Sequence, residues 1–362
     1  KDAPKRKIQL YYTDNLDALT SQQIQFLPPT EKIVIAYNSI RHCRNIIKLL
    51  PDEHLKDCAI LCSDSSVEEA GTYYAELAEG NKLPKRINFI TSCYFAGVDI
   101  EDYYHLITVS NARQNYQMLS PDKLTQIHGR CRFSNGILSD TIIYNTREKW
   151  RQNADGDYQA TLLKQADALL HLQKSASESA EQDKDLLDLF EIVKTAIREK
   201  GAISISGERP IQLTRRDYFS KDVVAYMNID YLVERQKLSN TIYDSIAHLQ
   251  LALEAQGHKV TFENRYGTFP LSEQQKKIEQ VNKEELQVTV DRRLAEIIDE
   301  VREITKSRHL TAGEKQTFQS RKGCSAFVNR FYSLQKYVDA NTLIDHLWEI
   351  RHSDKRAYKN LQ

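Results

Sequence analysis

The stretch Lys32-Ile33-Val34-Ile35-Ala36-Tyr37-Asn38-Ser39, followed by Ile40 to Leu50, decides the class of fold. Its first half is a short continuous apolar run, the pattern of a β-strand covered on both faces. Ser39 is a helix-capping residue, and Ile40, Cys43, Ile46, Ile47 and Leu50 then repeat at helical spacing until Pro51 signals a stop. The alternation continues outward from there. Ala59 to Cys62 reads as a strand, Val67 to Glu79 as a helix, and Ile87 to Thr91 and His105 to Val109 as strands. Pro121 behind Ser120 opens a helix carrying Leu124, Ile127 and His128, and Thr141 to Tyr144 closes the series. Strands and helices alternating at this pace predict an α/β fold, a mainly parallel sheet flanked by crossover helices.

The chain has 362 residues, which makes two or three domains the expectation. Lys+Arg and Asp+Glu both number 50, so no global basic field draws in a nucleic acid, and any such contact must be local. The six cysteines, at 43, 58, 62, 93, 131 and 324, form no C-x-x-C and no metal-ligand spacing, so reduced thiols in a cytoplasmic protein are expected and no metal site is. No apolar run approaches the roughly 18 residues of a membrane span. Lys1 is read as an internal residue of a longer chain, since no Met precedes it and no signal-type apolar stretch follows.

In a parallel sheet, ligands gather where loops leave the carboxyl ends of the strands, and two segments are expected there. The first is Ile90-Thr91-Ser92-Cys93-Tyr94-Phe95-Ala96-Gly97-Val98-Asp99-Ile100, where hydroxyls and backbone N–H groups can meet a phosphate and Gly97 allows close backbone approach. A simple Gly-and-Asp turn is the alternative reading. The second is Gln126-Ile127-His128-Gly129-Arg130-Cys131-Arg132, where an arginine fork at the end of a helix can reach a phosphate supplied by another domain. Its alternative is a pair of solvated arginines favoured by the helix dipole. His128 is read as a packing or hydrogen-bonding residue.

By their order, their separation and the elements around them, the two segments resemble the fifth and sixth motifs of superfamily 2 helicases, in the second of the two RecA-like domains of such a motor. The resemblance covers somewhat under half the chain. It implies that Arg130 and Arg132 serve as arginine finger with Gln126 hydrogen-bonding nearby, and that Gly97, Asp99 and Gly129 couple nucleotide to nucleic acid. An arginine finger contributes on the order of 10³ to 10⁵ in rate. Many members carry Arg-x-Gly-Arg where this chain has Arg130-Cys131-Arg132, which shifts the last arginine by one residue. Asn38 and Ser39 resemble the fourth motif, and Ser63 and Asp64 a further loop that, like Thr91 and Ser92, grips a nucleic-acid strand; capping by Ser39 and Ser65 is the alternative. The shortened sixth motif places origin-binding and phage or plasmid replication helicases nearest.

No Gly-x-x-x-x-Gly-Lys-Ser/Thr occurs, and Pro51-Asp52-Glu53-His54 is no acidic helicase box, because the residues before it have helical periodicity. The resemblance therefore implies that ATP and Mg2+ belong to the parent protein, that the first RecA-like domain precedes Lys1, and that this fragment by itself binds no nucleotide and is inactive. DNA is favoured over RNA because the accessory region is long. A non-catalytic RecA-like scaffold and a duplex translocase of restriction or remodelling type are the alternatives.

The expected division is a second RecA-like domain over 1–150 and a mainly helical accessory region over 151–362, with subdomains 151–265 and 266–362. Within it, 151–200 reads as helical with a polar interruption from Ser175 to Glu181, and an apolar stripe from Leu186 to Ile197 ends at Gly201. Ala202 to Ser206 reads as a strand, and Ser220 to Glu234 and Asn240 to Ala255 as helices. Ser272 with Gln275 and Thr311 with Glu314 spell capping boxes. Basic clusters at Arg215-Arg216, Arg321-Lys322 and Arg351-His352 with Lys355, Arg356 and Lys359 can track a phosphate backbone, although interleaved acids favour a solvated face. Of the tyrosine pairs 11–12, 73–74 and 103–104, one ring each is expected in the core and the other free to meet bases.

Overall fold

The computed structural model describes residues 6–147, 157–180, 187–203, 210–219, 221–321, 323–354 and 357–358. Seven parallel strands form the main sheet: β1 (Lys7–Tyr12), β2 (Lys32–Ala36), β3 (Cys58–Leu61), β4 (Ile87–Ile90), β5 (Tyr104–Ser110), β6 (Ile137–Tyr144) and β9 (Lys259–Asn264), in the spatial order β3-β4-β2-β5-β6-β1-β9. The fold is α/β, with helices flanking the sheet and a helical C-terminal region.

Two-sided burial explains the apolar runs. Val34 and Ala36 of β2 join one core with Leu10, Leu106 and Ile142, whereas the alternate residues Ile33 and Ile35 join a second core with Ile107, Val109 and Ile143. Helices α1 (Leu16–Phe26) and α2 (Ile40–Leu49) cover the second face. The first face is covered by α4 (Pro121–His128) and by two elements from much later in the chain, α7 (Tyr226–Thr241) and α8 (His248–Ala255), through Leu238, Leu249 and Leu253. Tyr243 seals this attachment. Its hydroxyl donates to the Leu119 carbonyl at 2.6 Å and lies 2.6 Å from Ser110 Oγ.

Several expectations change in this light. The chain divides into compact units at 1–272 and 273–362, whereas a boundary at 150 was expected, because α7, α8 and β9 complete the sheet's cover and its edge. The helix expected over Val67 to Glu79 is only one turn, α3 (Val67–Ala70), because Gly71 adopts φ +59° and Tyr74 then runs beside Ile60 of β3. Helix α5 (Tyr158–Ala180) passes straight through the expected polar break at Ser175, and Ser177 Oγ bonds back to the Gln173 carbonyl at 3.0 Å. Helix α6 (Leu187–Lys200) follows, ending at Gly201. Of the strand expected at Ala202 to Ser206, Ile203 pairs with Ile211, and 204–206 lie outside the described residues. A small hairpin, β7 (Thr214–Arg216) and β8 (Asp222–Val224), precedes α7, which therefore starts later than Ser220.

The second unit is helical. Its helices are α9 (Glu273–Thr305), α10 (Ala312–Ser320), α11 (Ser325–Leu334) and α12 (Ala340–Ser353). Leu294, Ile297, Ile298 and Val301 of α9, spaced for one helical face, pack with Phe318, Phe327, Phe331, Ile344 and Leu347. Thr311 and Glu314 form the expected reciprocal capping box on α10. Among the described residues, no helix is long and apolar enough to cross a membrane.

One buried ion pair lies inside the first unit. Arg6 Nε and Nη2 donate to Asp140 Oδ2 at 2.8 and 2.6 Å, with side chains 6% and 4% exposed. Removing one partner of such a pair strands the other charge away from water. Asp140→Ala is expected to cost about 3–5 kcal/mol, seen as a lower urea midpoint, and Arg6→Met with Asp140→Leu to recover most of it. A loss below about 1 kcal/mol for Asp140→Ala would mean that water reaches the pair.

Candidate functional site

The parallel crossovers distribute the expected site residues between two edges of the sheet. Asn38 and Ser39 follow β2, Ser63 and Asp64 follow β3, and Thr91 and Ser92 follow β4, all at carboxyl ends. Asp99, Gly129, Arg130 and Arg132 do not lie there, contrary to expectation. They come just before β5 and β6, because each parallel connection must carry the chain back to the amino edge before the next strand begins.

At the carboxyl edge, Asn38 is the joint. Its Oδ1 accepts from the Ser92 amide at 3.1 Å and its Nδ2 donates to the Tyr116 carbonyl at 2.8 Å, tying together the loops after β2, β4 and β5. Ser39 Oγ accepts from the His42 amide at 3.3 Å, so it caps α2. Thr91 is buried and its hydroxyl donates to the Leu61 carbonyl at 3.4 Å, which leaves Ser92 as the exposed hydroxyl of the two. Ser63 and Asp64 are exposed, with Ser63 Oγ 3.1 Å from Ser65 Oγ. They line an open pocket of about 400 Å³ with Tyr74, Cys93, Tyr94 and Val98. Cys62 also lines it, and burial pushes its thiol up to about 11. That thiol stays protonated near neutrality, and Cys62 is no nucleophile there.

Val98 connects this pocket to the arginines. Gly97 takes φ +77° with open space around it, so the backbone conformation alone calls for glycine and aims the chain toward the amino edge. A two-way backbone bridge then joins the two segments: the Ile100 amide donates to the Arg130 carbonyl at 2.8 Å and the Arg132 amide to the Ile100 carbonyl at 3.2 Å. This staple sets the side chains side by side. Arg132 Nε is 2.7 Å from Asp99 Oδ1, and Arg130 Nη1 is 3.9 Å from it. Arg130 also donates from Nε to the Gln126 carbonyl at 3.1 Å and from Nη1 to the Val98 carbonyl at 3.4 Å. Its side chain is 15% exposed against 53% for Arg132, so Arg130 is the pre-positioned guanidinium of the pair. Gln126 contributes its backbone carbonyl while its side chain lies on an exposed face. Gly129 has an ordinary φ of −68° and room for a Cβ, so its conformation does not call for glycine.

Three residues that sequence reading passed over hold this corner. A Cβ on Gly136 would sit 2.5 Å from Cys131 Sγ and 2.8 Å from Phe133 Cβ, so only glycine lets the loop close. Lys82 Nζ lies 4.4 Å over the Phe133 ring. Asp102 accepts from Lys32 Nζ at 2.7 Å and from the amides of Leu83 at 3.2 Å and Tyr103 at 3.0 Å. His128 Nδ1 stands 2.9 Å from Asp140 Oδ2 without hydrogen-bond alignment. Two arginines of the later basic clusters face acids: Arg351 pairs with Asp291 at 2.7 Å and Arg321 with Glu300 at 2.8 Å. Lys322, Lys355, Arg356 and Lys359 lie outside the described residues. Among the described residues, no group of three or more His, Cys, Asp or Glu side chains is placed to hold a metal ion.

Comparison with family models, with curated proteins and with solved structures found no match.

Asp102 supplies a pH test of the corner. Burial alone would raise its pKa, but Lys32 and the two amides overcome that and hold it below the usual carboxylate value. A carboxylate more acidic folded than unfolded stabilises fully above about pH 4 and loses that contribution as pH falls through its folded value. Asp102→Asn is therefore expected to lower stability at neutral pH and to flatten the acid limb of the urea midpoint against pH. Parallel acid limbs for the two proteins would show that Asp102 does not act this way.

Proposed function

We propose that the chain is the second lobe of an ATP-dependent nucleic-acid motor, a helicase or translocase, contributing an arginine finger and part of the strand grip. The observation that carries this reading is the backbone staple between Ile100 and Arg130–Arg132, which holds two guanidinium groups against Asp99. A guanidinium fixed through Nε and Nη1, as Arg130 is, loses little further freedom when a phosphate arrives, and planar arginine suits phosphate oxygens. The residues present fit an anionic phosphate but not its magnesium ion, which with the phosphate loop belongs to another lobe. When bound there, ATP supplies the free energy of phosphoryl transfer.

This chain's own residues then have separable tasks. Arg130 meets charge that develops on the transferred group. Asp99 restrains Arg132 and sits one residue from the Val98 carbonyl that holds Arg130, so a shift of the 97–100 segment is felt at both. The same segment leads back to Ser92, which Asn38 ties to the carboxyl-edge loops. DNA is the favoured strand. A non-catalytic scaffold is the second reading, favoured by the 2.7 Å engagement of Arg132 with Asp99, which satisfies that arginine inside the chain.

The test is DNA-stimulated ATP hydrolysis by a motor in which this chain is combined with a lobe that carries a phosphate loop. Arg130→Ala is expected to lower the stimulated rate by about 10³ or more with little change in ATP affinity, and Arg130→Lys to recover only a small part. An unchanged rate in Arg130→Ala removes the finger. Absence of ATP hydrolysis in that motor favours the scaffold.

A further inference from the structure

We propose that the β7–β8 hairpin is a binding site for the unpaired bases of a single nucleic-acid strand, with Tyr218 and Phe219 at its tip as the stacking surface. The proposal rests on the motor reading and names a contact that reading lacks. The hairpin has a fixed base. Thr214 is buried and its Oγ1 accepts from Gln173 Nε2 of α5 at 3.3 Å, Arg198 of α6 pairs with Asp222 at 2.5 Å, and Asn228 Nδ2 of α7 donates to the Gln212 carbonyl at 2.8 Å. The Ala225 amide closes it on the Leu213 carbonyl at 2.8 Å.

Asp217 ties described residues of the tip together. Asp217 Oδ1 accepts from the amides of Phe219 at 2.9 Å and Lys221 at 2.8 Å, and the Asp217 amide donates to the Lys221 carbonyl at 2.8 Å. On this pinned turn the two rings stand in water, Tyr218 at 96% and Phe219 at 77% exposed, edge to face with centroids 5.5 Å apart. Apolar rings are ordinarily withdrawn from water, and nothing in the turn's hydrogen bonding requires aromatic residues here. They offer π faces to a partner at the end of a hydrogen-bonded arm.

Charge selects the occupant. Arg215 and Lys221 are exposed on either side of the tip, while of the two nearby acids Asp217 accepts from backbone amides and Asp222 pairs with Arg198. Cations flanking exposed aromatic rings match a polyanion whose flat faces are accessible, which is a single strand. A duplex hides those faces in its stack, and an apolar protein surface has no use for the cations.

The experiment measures affinity of the 362-residue chain, by fluorescence anisotropy, for a labelled oligothymidine strand and for a blunt duplex. Tyr218→Ala with Phe219→Ala is expected to weaken strand binding about tenfold or more and to leave duplex binding nearly unchanged. Tyr218→Phe with Phe219→Tyr keeps both rings and is expected to bind as the parent does. Arg215→Ala with Lys221→Ala is expected to weaken binding and reduce its salt dependence. The substituted side chains are exposed, so an unchanged urea midpoint verifies the fold. Unchanged strand affinity in the double alanine variant overturns the proposal and leaves the rings to a protein partner. Equal losses on strand and duplex overturn it in favour of a purely electrostatic contact. No binding of either nucleic acid by the parent chain counts against the motor reading itself, an outcome distinct from failure of the hairpin alone.

Discussion

A strand that is apolar on both sides has to be covered on both sides, and most of the first unit follows from that. Ile33, Val34, Ile35 and Ala36 are fully buried in alternation toward two separate cores. One cover, α1 and α2, is local in sequence. The other is not: Leu238, Leu249 and Leu253 arrive from more than a hundred residues past β2, and the Tyr243 hydroxyl binds them to the loop after β5. Exposing that face would put several large side chains in water at about 25 cal/mol per Å² of apolar surface, so the sheet and its late-arriving helices form one cooperative structure.

The second constraint is the parallel connection. Every described strand of the main sheet runs the same way, so each link between them must cross back along a face of the sheet. The link from β4 to β5 does this without a regular helix, which leaves an open pocket beside it and carries Gly97, Val98 and Asp99 from one edge toward the other. The link from β5 to β6 uses α4, which ends just before Arg130. Where the two return legs meet, the Ile100 and Arg130–Arg132 backbones exchange hydrogen bonds. The proximity of a carboxylate and two guanidinium groups is thus a consequence of topology, reinforced by Gly136 where no side chain fits.

Basic residues in the two units meet different fates. Arg321 and Arg351 in the second unit face acids at ion-pair distance, which offsets these cations in any external field. Around the hairpin tip Asp217 accepts from backbone amides and Asp222 pairs with Arg198, while Arg215 and Lys221 are exposed near the rings. Charge at the same density has a different meaning depending on what the neighbouring acid is bonded to.

Local chemistry was legible in the chain by itself: the apolar runs of β2 to β6, the Ser39, Ser120 and Thr311 caps, the Pro121 helix start and the helical second unit depend on residues a few positions apart. The two segments around Asp99 and Arg130 are each contiguous in sequence, so each could be singled out there, but the bridge between them could not. What only the tertiary structure decided depends on long-range closure. Val260 and Phe262 alternate with polar neighbours from Lys259 to Asn264, but alternation does not say which strand the segment joins, and only its pairing with β1 makes it the edge of the main sheet. Gly71 turned a helical pattern into a strand-side loop through its positive φ, and α5 continued past Ser175, where the polar residues oppose a helix only by small local preferences. That Asp99 touches Arg132, and that both sit at the amino edge, could not be read from spacing, since spacing does not say at which edge a crossover ends.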